Sequence, residues 1–233
     1  ISGGASVGVY GPLVHFGATV STFIRRLKFM PKIPHDIIIG CGVAAAISAG
    51  FGAPLAGLIF AHETVLRHFS MKAITALAVS SMAANFFASE INLVTPFLLL
   101  PEIPFAISDV LPSLAIIGPI AAIVAVIFMK LIIFLGTLPP KFKIKNWQSP
   151  VIAGLFCGLF GMFFDEVLGL GTNTVMMVIT SNQDTSYLLA LLVGKLLLSC
   201  ICLGFGFFGG TFSPALFLGA IVGALVFQLP LTS

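Results

Sequence analysis

Two stretches of this chain, one near each end, carry nearly the same pattern. Tyr10-Gly11-Pro12-Leu13-Val14-His15-Phe16-Gly17-Ala18 and Phe212-Ser213-Pro214-Ala215-Leu216-Phe217-Leu218-Gly219-Ala220 both run aromatic, small, Pro, four mostly apolar residues, Gly, Ala. Each follows a glycine-rich approach: Gly3, Gly4 and Gly8 before the first, and Gly204, Gly206, Gly209 and Gly210 before the second. Proline in the first turn is pre-organised for a helix, and its missing N–H had no partner there anyway. The pattern therefore predicts two loops that each open a helix. A helix start carries partial positive charge and unpaired N–H groups, which suits an anion. In a membrane chain, such starts in corresponding positions of two halves point to a substrate site near mid-bilayer.

The chain is a membrane chain by composition. Hydrophobic residues make up 58% and charged residues 8%, against roughly 25% charged in soluble domains, and the mean hydropathy is +1.15. Apolar runs fall near 12–27, 36–49, 53–66, 72–89, 111–137, 150–164, 171–181, 187–204 and 213–229. They are continuous rather than alternating, so they predict helices and not a barrel. Several are shorter than the ~20 residues that span a bilayer. Gly50-Phe51-Gly52-Ala53-Pro54 divides one stretch into halves of roughly 21 Å each. This is either one kinked helix or two half-helices that return to the same face.

Charge placement favours the second. Arg25, Arg26, Lys28 and Lys32 precede the pair, and Arg67 and Lys72 follow it. Lys141, Lys143 and Lys145 form a third basic cluster, while 90–110 holds Glu90, Glu102 and Asp109 with no Lys or Arg. The positive-inside rule places the basic clusters in the cytoplasm, so 36–66 enters and comes back. Irregular backbone at membrane depth must be buried or line a cavity. The expectation is an all-α integral membrane bundle of short, tilted and broken helices in inverted repeats, with one transmembrane domain over 1–233 divided roughly at 105/106. Lys130 is read as snorkelling to the inner face. Lys195, mid-helix by prediction, is either a functional group or a water-facing residue near a helix end.

Three motifs in order make the chain resemble the CLC chloride channels and proton-coupled exchangers. Gly8-Val9-Tyr10-Gly11-Pro12 is similar to the G-(K/R)-E-G-P motif, Phe51-Gly52-Ala53-Pro54-Leu55-Ala56-Gly57 to the F-x-A-P-L-(A/S)-G stretch, and Gly210-Thr211-Phe212-Ser213-Pro214 to G-x-F-x-P. Asp165-Glu166-Val167-Leu168-Gly169-Leu170-Gly171 fits an acidic loop of the family more loosely. The resemblance implies a homodimer in the plasma (inner) membrane with one anion pathway per subunit. It implies chloride or a similar small anion held by the amides of Gly8, Val9, Tyr10 and Gly11 at an outer site and by those of Thr211 and Phe212 at a central one. No cofactor and no nucleic-acid partner are expected. The family's serine loop would precede Ile1 and its late tyrosine-bearing helix would follow Ser233. The chain thus reads as an internal fragment, not expected to form a complete pore by itself.

The departures decide the mechanism. The family's gating glutamate falls at Tyr10, whose phenol, with an ordinary pKa near 10, stays neutral. The internal proton-accepting glutamate falls at Thr64, beside Glu63. With both coupling carboxylates replaced, passive conduction is expected, the alternative being a chloride/proton antiporter with altered coupling. Other readings compete for the same residues. Gly4-Ala5-Ser6-Val7-Gly8 matches the G-x-S-x-G of serine hydrolases, with His15 nearby, but that motif belongs between a strand and a helix. A transporter coupled to protons or sodium would need an interior carboxylate, and Glu63, Asp165 and Glu166 sit at segment ends. Cys41, Cys157, Cys200 and Cys202 read as packed thiols, the metal reading of Cys200 and Cys202 lacking a nearby His or carboxylate. His62 and Glu63 read as structural rather than as a metal pair.

Overall fold

The computed structural model describes residues 4–26, 33–67, 70–91 and 107–228. Lys28, Lys32, His68 and Glu102 lie outside the described residues. Among those described, regular structure is helical apart from one antiparallel bridge between Gly8 and Gly210. The chain forms two compact units, Tyr10–Phe97 and Ile1–Val9 with Leu98–Ser233.

The unit Tyr10–Phe97 contains α1 (Tyr10–Arg25), α2 (His35–Phe51), α3 (Pro54–Ala61) and α4 (Met71–Glu90), with α3 running on into a wide π turn over His62–Leu66. Gly52 ends α2 in the left-handed region (φ 65°, ψ 25°), and Pro54 opens α3. The two helices then fold back on each other. A Cβ on Gly57 would stand 2.6 Å from Ala44 O, and one on Gly40 would stand 2.9 Å from the Leu66 side chain. Residues after the break thus pair with residues progressively farther before it, which defines an antiparallel hairpin and not a kinked helix. Hydroxyls tie it to α4: Ser48 Oγ donates to Ser81 O at 2.6 Å, Ser80 Oγ to Cys41 O at 2.9 Å, and Ser81 Oγ to Pro54 O at 2.6 Å. Small residues and cross-helix hydrogen bonds are how helices associate where apolar burial provides no drive.

Where α1 crosses α2, Gly17 and Gly42 face each other so closely that a Cβ on either would collide with the carbonyl oxygen of the other. The atom met is backbone, so the helices themselves must separate. Gly42→Ala is expected to destabilise the protein by about 1–3 kcal/mol. Thermal unfolding in detergent checks this, with Gly118→Ala and Gly223→Ala as controls because nothing lies within 4 Å of a Cβ there. Equal melting temperatures for Gly42→Ala and these controls would refute the close crossing.

The second unit contains α5 (Ile107–Lys141), α6 (Gln148–Gly161), a single turn at Asp165–Val167, α7 (Thr172–Thr180), α8 (Thr185–Gly204) and α9 (Phe212–Phe227). Helix α8 is its axis, burying Leu188, Leu191, Gly194, Lys195, Leu198, Ser199, Cys200 and Cys202. Helix α5 lies at the periphery: the most apolar window of Ser113–Lys141 has mean hydropathy 2.7 and only 6% of it is buried. Among the described residues, three helices are long and apolar enough to cross a membrane, Met71–Glu90, Ser113–Lys141 and Thr185–Gly204. The apolar helices His35–Phe51, Pro54–Leu66, Gln148–Gly161 and Phe212–Phe227 are shorter. At 1.5 Å per residue the last reaches about 24 Å, less than the ~30 Å hydrocarbon core. The four cysteines are free thiols. Cys157 and Cys202 place their sulfurs 3.2 Å apart, whereas Cys200 turns to Phe128 O at 3.6 Å. Two residues apart on a helix, Cys200 and Cys202 face different neighbours. Among the described residues no group of three or more His, Cys, Asp or Glu gathers.

Candidate functional site

The two glycine-rich approaches meet within the second unit. Gly8 N–H donates to Gly210 O and Gly210 N–H to Gly8 O, each at 2.8 Å. The backbones come this close because side chains are missing where they touch. A Cβ on Gly209 would lie 2.5 Å from Val7 Cβ, and one on Gly8 would lie 2.9 Å from Gly210 O. The loop after α8 is shaped for the encounter. Gly206 (φ 92°) closes α8 with Phe207 N–H bonded to Cys202 O at 2.9 Å and Gly206 N–H to Leu203 O at 3.2 Å, a Schellman motif in which glycine takes the left-handed position. Ser149 Oγ donates to the exposed end at Phe205 O, 2.6 Å away.

Two residues beyond Gly210, α9 begins at Phe212 with Thr211 at its N-cap. Two residues beyond Gly8, α1 begins at Tyr10. Both helices carry proline at their third position, Pro214 and Pro12. The first N–H groups of any helix lack acceptors within it, and a proline third leaves two helical residues that offer such donors and a third that offers none. In α9 these are Phe212 and Ser213. Thr211 and Phe212 are exposed, Val9 is half-buried, and Gly8 and Ser213 are buried.

A buried polar cluster braces the first loop. Ser6 Oγ donates to Val167 O at 2.9 Å and lies 3.0 Å from Ser199 Oγ. Gly169 N–H donates to Gly4 O at 3.2 Å. Lys195, fully buried, donates from Nζ to Val167 O at 3.0 Å and Gly169 O at 2.8 Å, and its ammonium lies 4.9 Å from the centroid of the Phe217 ring. A cation over an aromatic face is a favourable contact. Gly171 (φ 70°) leaves the room for this: a Cβ there would press to 2.5 Å on the Phe217 ring. Of the two readings of Lys195, the water-facing one is excluded. Ser6 is a brace and not an accessible nucleophile, since its side chain is 0% exposed. Ser199 and Ser213 carry no distinguishing signal in the sequence; their burial sets them apart.

The remaining candidates belong to the unit Tyr10–Phe97. Tyr10 is buried and stacks on Phe51, centroids 3.8 Å apart and planes 18° from parallel. Gly11 is the second residue of α1. Glu63 and Thr64 both lie exposed on the π turn. His62 accepts from Ser70 N–H at 3.2 Å through Nε2.

Comparison with known proteins places the chain in a family. Residues 1–231 match the family model described as "Voltage gated chloride channel", and the chain belongs to that family, whose members are channels and transporters and not enzymes. It is a multi-pass integral membrane chain. It is 28% identical over 235 residues to the "H(+)/Cl(-) exchange transporter ClcA" of Citrobacter koseri and 26% identical over 230 residues to that of Vibrio cholerae. In each case 96% of this chain and 49% of the relative are covered, so the chain spans about half the length of these relatives. Among solved structures, a slow cyanobacterial Cl-/H+ antiporter superposes with TM-score 0.80 at 22% identity, covering 96% of this chain and 53% of the other. A CLC-type fluoride/proton antiporter superposes with TM-score 0.75 at 26% identity, covering 98% and 58%.

Proposed function

We propose that the protein containing this chain moves chloride or a similar small anion across a membrane, passively, through a pathway in which the amides of Gly8, Val9, Tyr10, Gly11, Thr211 and Phe212 coordinate the ion. The observation that supports this most directly is the Gly8–Gly210 bridge, two residues ahead of a proline-begun helix on either strand. Neutral amide dipoles replace an anion's water yet let it leave, as conduction requires. The passive reading rests on Tyr10 and Thr64. Neither side chain exchanges a proton near neutral pH. A homodimer with one pathway per subunit, in the plasma (inner) membrane, completes the proposal.

A second reading has its own support. The named relatives and both structural neighbours are exchangers or antiporters by title, and Glu63, exposed beside Thr64, is a carboxylate at the neighbouring position. Coupling would then run through a rearranged proton route. Reconstitution of the full-length protein in liposomes separates the two. The passive reading expects a chloride gradient to drive chloride flux with no uphill proton movement. Chloride-driven proton pumping would overturn it in favour of exchange, and absence of any anion flux would overturn both.

A further inference from the structure

Among the described residues, Ser213 is the one buried hydroxyl of this site that no protein group engages. Its side chain is 1% exposed and its Oγ has no hydrogen-bond partner. The other buried serines beside the loop behave differently, with Ser6 and Ser199 bonded to each other and Ser6 also to Val167 O. A buried hydroxyl left unpaired is costly, and native proteins rarely keep one without a reason. Position matters as much as isolation. Ser213 is the second residue of α9, where its own N–H has no acceptor within the helix. Both polar groups border the face of Gly8 where a side chain is missing. A Cβ built on Gly8 would lie 2.9 Å from Gly210 O, the carbonyl that accepts from Gly8 N–H, 3.0 Å from Ser213 Oγ and 3.3 Å from Ser213 N. An O–H and an N–H of one residue thus border the same spot, at the electropositive end of a helix, against a backbone trimmed to glycine.

We propose that Ser213 Oγ is a side-chain hydrogen-bond donor to the transported anion and sets its preference for compact, strongly accepting ions. This rests on the anion reading above and extends it from amides, which discriminate weakly, to a hydroxyl, which rewards an ion with concentrated charge. Chloride accepts such a bond well and thiocyanate poorly. One donor to an ion is worth roughly a tenfold to hundredfold change in affinity.

The test is chloride binding by calorimetry and chloride and thiocyanate efflux from liposomes, on the full-length protein and its Ser213→Ala variant. The expected result is chloride affinity lowered roughly tenfold or more and a lower chloride-to-thiocyanate flux ratio, with transport retained through the amides. Ser213→Cys is slightly larger and keeps a weaker donor, so it falls between parent and Ser213→Ala, and it carries the comparison if the alanine variant does not fold. Binding and ratio within twofold of the parent in the variants overturn the role of Ser213 and leave anion transport standing; a hydroxyl satisfied by water would give that result. A parent that neither binds nor passes chloride overturns the functional reading itself, and this inference with it.

Discussion

Replacing Lys195 with methionine is expected to weaken chloride binding by an order of magnitude while leaving a folded protein. Lys195 is among the largest fully buried side chains in the described structure, and its neighbours are two carbonyl oxygens and an aromatic face rather than a carboxylate. Burying an ammonium costs several kcal/mol even after relaxation, and two carbonyls repay only part of it. Methionine of similar length removes that cost. It also leaves Gly169 O without this donor, a loss of about 1–3 kcal/mol, whereas Val167 O keeps Ser6. The opposing effects nearly cancel in stability, but they do not cancel for an anion. Phe217 lies five residues into α9, about 7.5 Å from its first residue along the axis, so the ammonium is on the order of 10 Å from the helix start. At an effective dielectric near 20, a unit charge at about 10 Å is worth roughly 1.7 kcal/mol, or close to a factor of 17. Lys195→Arg separates charge from fit: it keeps the charge and disturbs the two-carbonyl clasp, so it should lower the melting temperature more than the chloride affinity. Calorimetric chloride affinity unchanged in Lys195→Met would reduce Lys195 to a loop brace.

Much of the fold was legible because its signals are local. Gly52 and Pro54 interrupt an apolar run at a place where only a turn fits, and basic residues on both flanks make the hairpin the economical topology. The structure places the reversal at Gly52 in the left-handed region. The starts of α1 and α9 were legible from proline and glycine, since both residue types restrict backbone geometry by themselves. What remained hidden depended on neighbours distant in sequence. Nothing local says that Gly17 meets Gly42, or that Ser6 lies against Val167 and Ser199, because serine and glycine suit many environments. Lys195 shows the limit clearly. Its presence in an apolar run marked it as unusual, yet only three-dimensional packing separates a buried clasp from a surface position.

The Gly8–Gly210 bridge lies between these cases. The two loops share a pattern that predicted similar structures, and pattern alone does not make them partners. Their pairing follows from the absence of side chains at Gly8 and Gly209, which lets Val7 and the Gly210 carbonyl fill the space. Ser213 is illegible in the sequence for a related reason. Within its motif it reads as a small residue ahead of proline, and an unengaged hydroxyl is recognisable only when every surrounding donor and acceptor is placed.

Tyr10→Glu is expected to convert a pH-insensitive chloride flux into one that is slow at pH 7.5 and restored on acidification to about pH 4. The side chain sits on the first residue of α1, where the helix dipole and unpaired amides favour a negative charge. On the proposed anion pathway, a carboxylate there is a tethered anion that competes with chloride for the same donors. The sign follows from titration: above its pKa the carboxylate is charged and obstructs, below it the neutral acid releases the donors. Tyrosine stays neutral throughout this range, so the parent's flux should not follow the same curve. The substitution also removes the stack on Phe51, a loss of about 0.5–1.5 kcal/mol beyond the buried area. The melting temperature therefore falls modestly, and Tyr10→Leu controls for this by removing the stack without adding charge. Tyr10→Leu should conduct at both pH values. A flux reduced at least tenfold at pH 7.5 in Tyr10→Glu but not in Tyr10→Leu assigns the effect to charge; equal flux in the two variants removes residue 10 from the anion path. Uphill proton movement should still be absent in Tyr10→Glu, because Thr64 offers no second titrating group. It should appear, if at all, in the double variant Tyr10→Glu with Thr64→Glu. Proton pumping by Tyr10→Glu alone would instead assign the second carboxylate to Glu63.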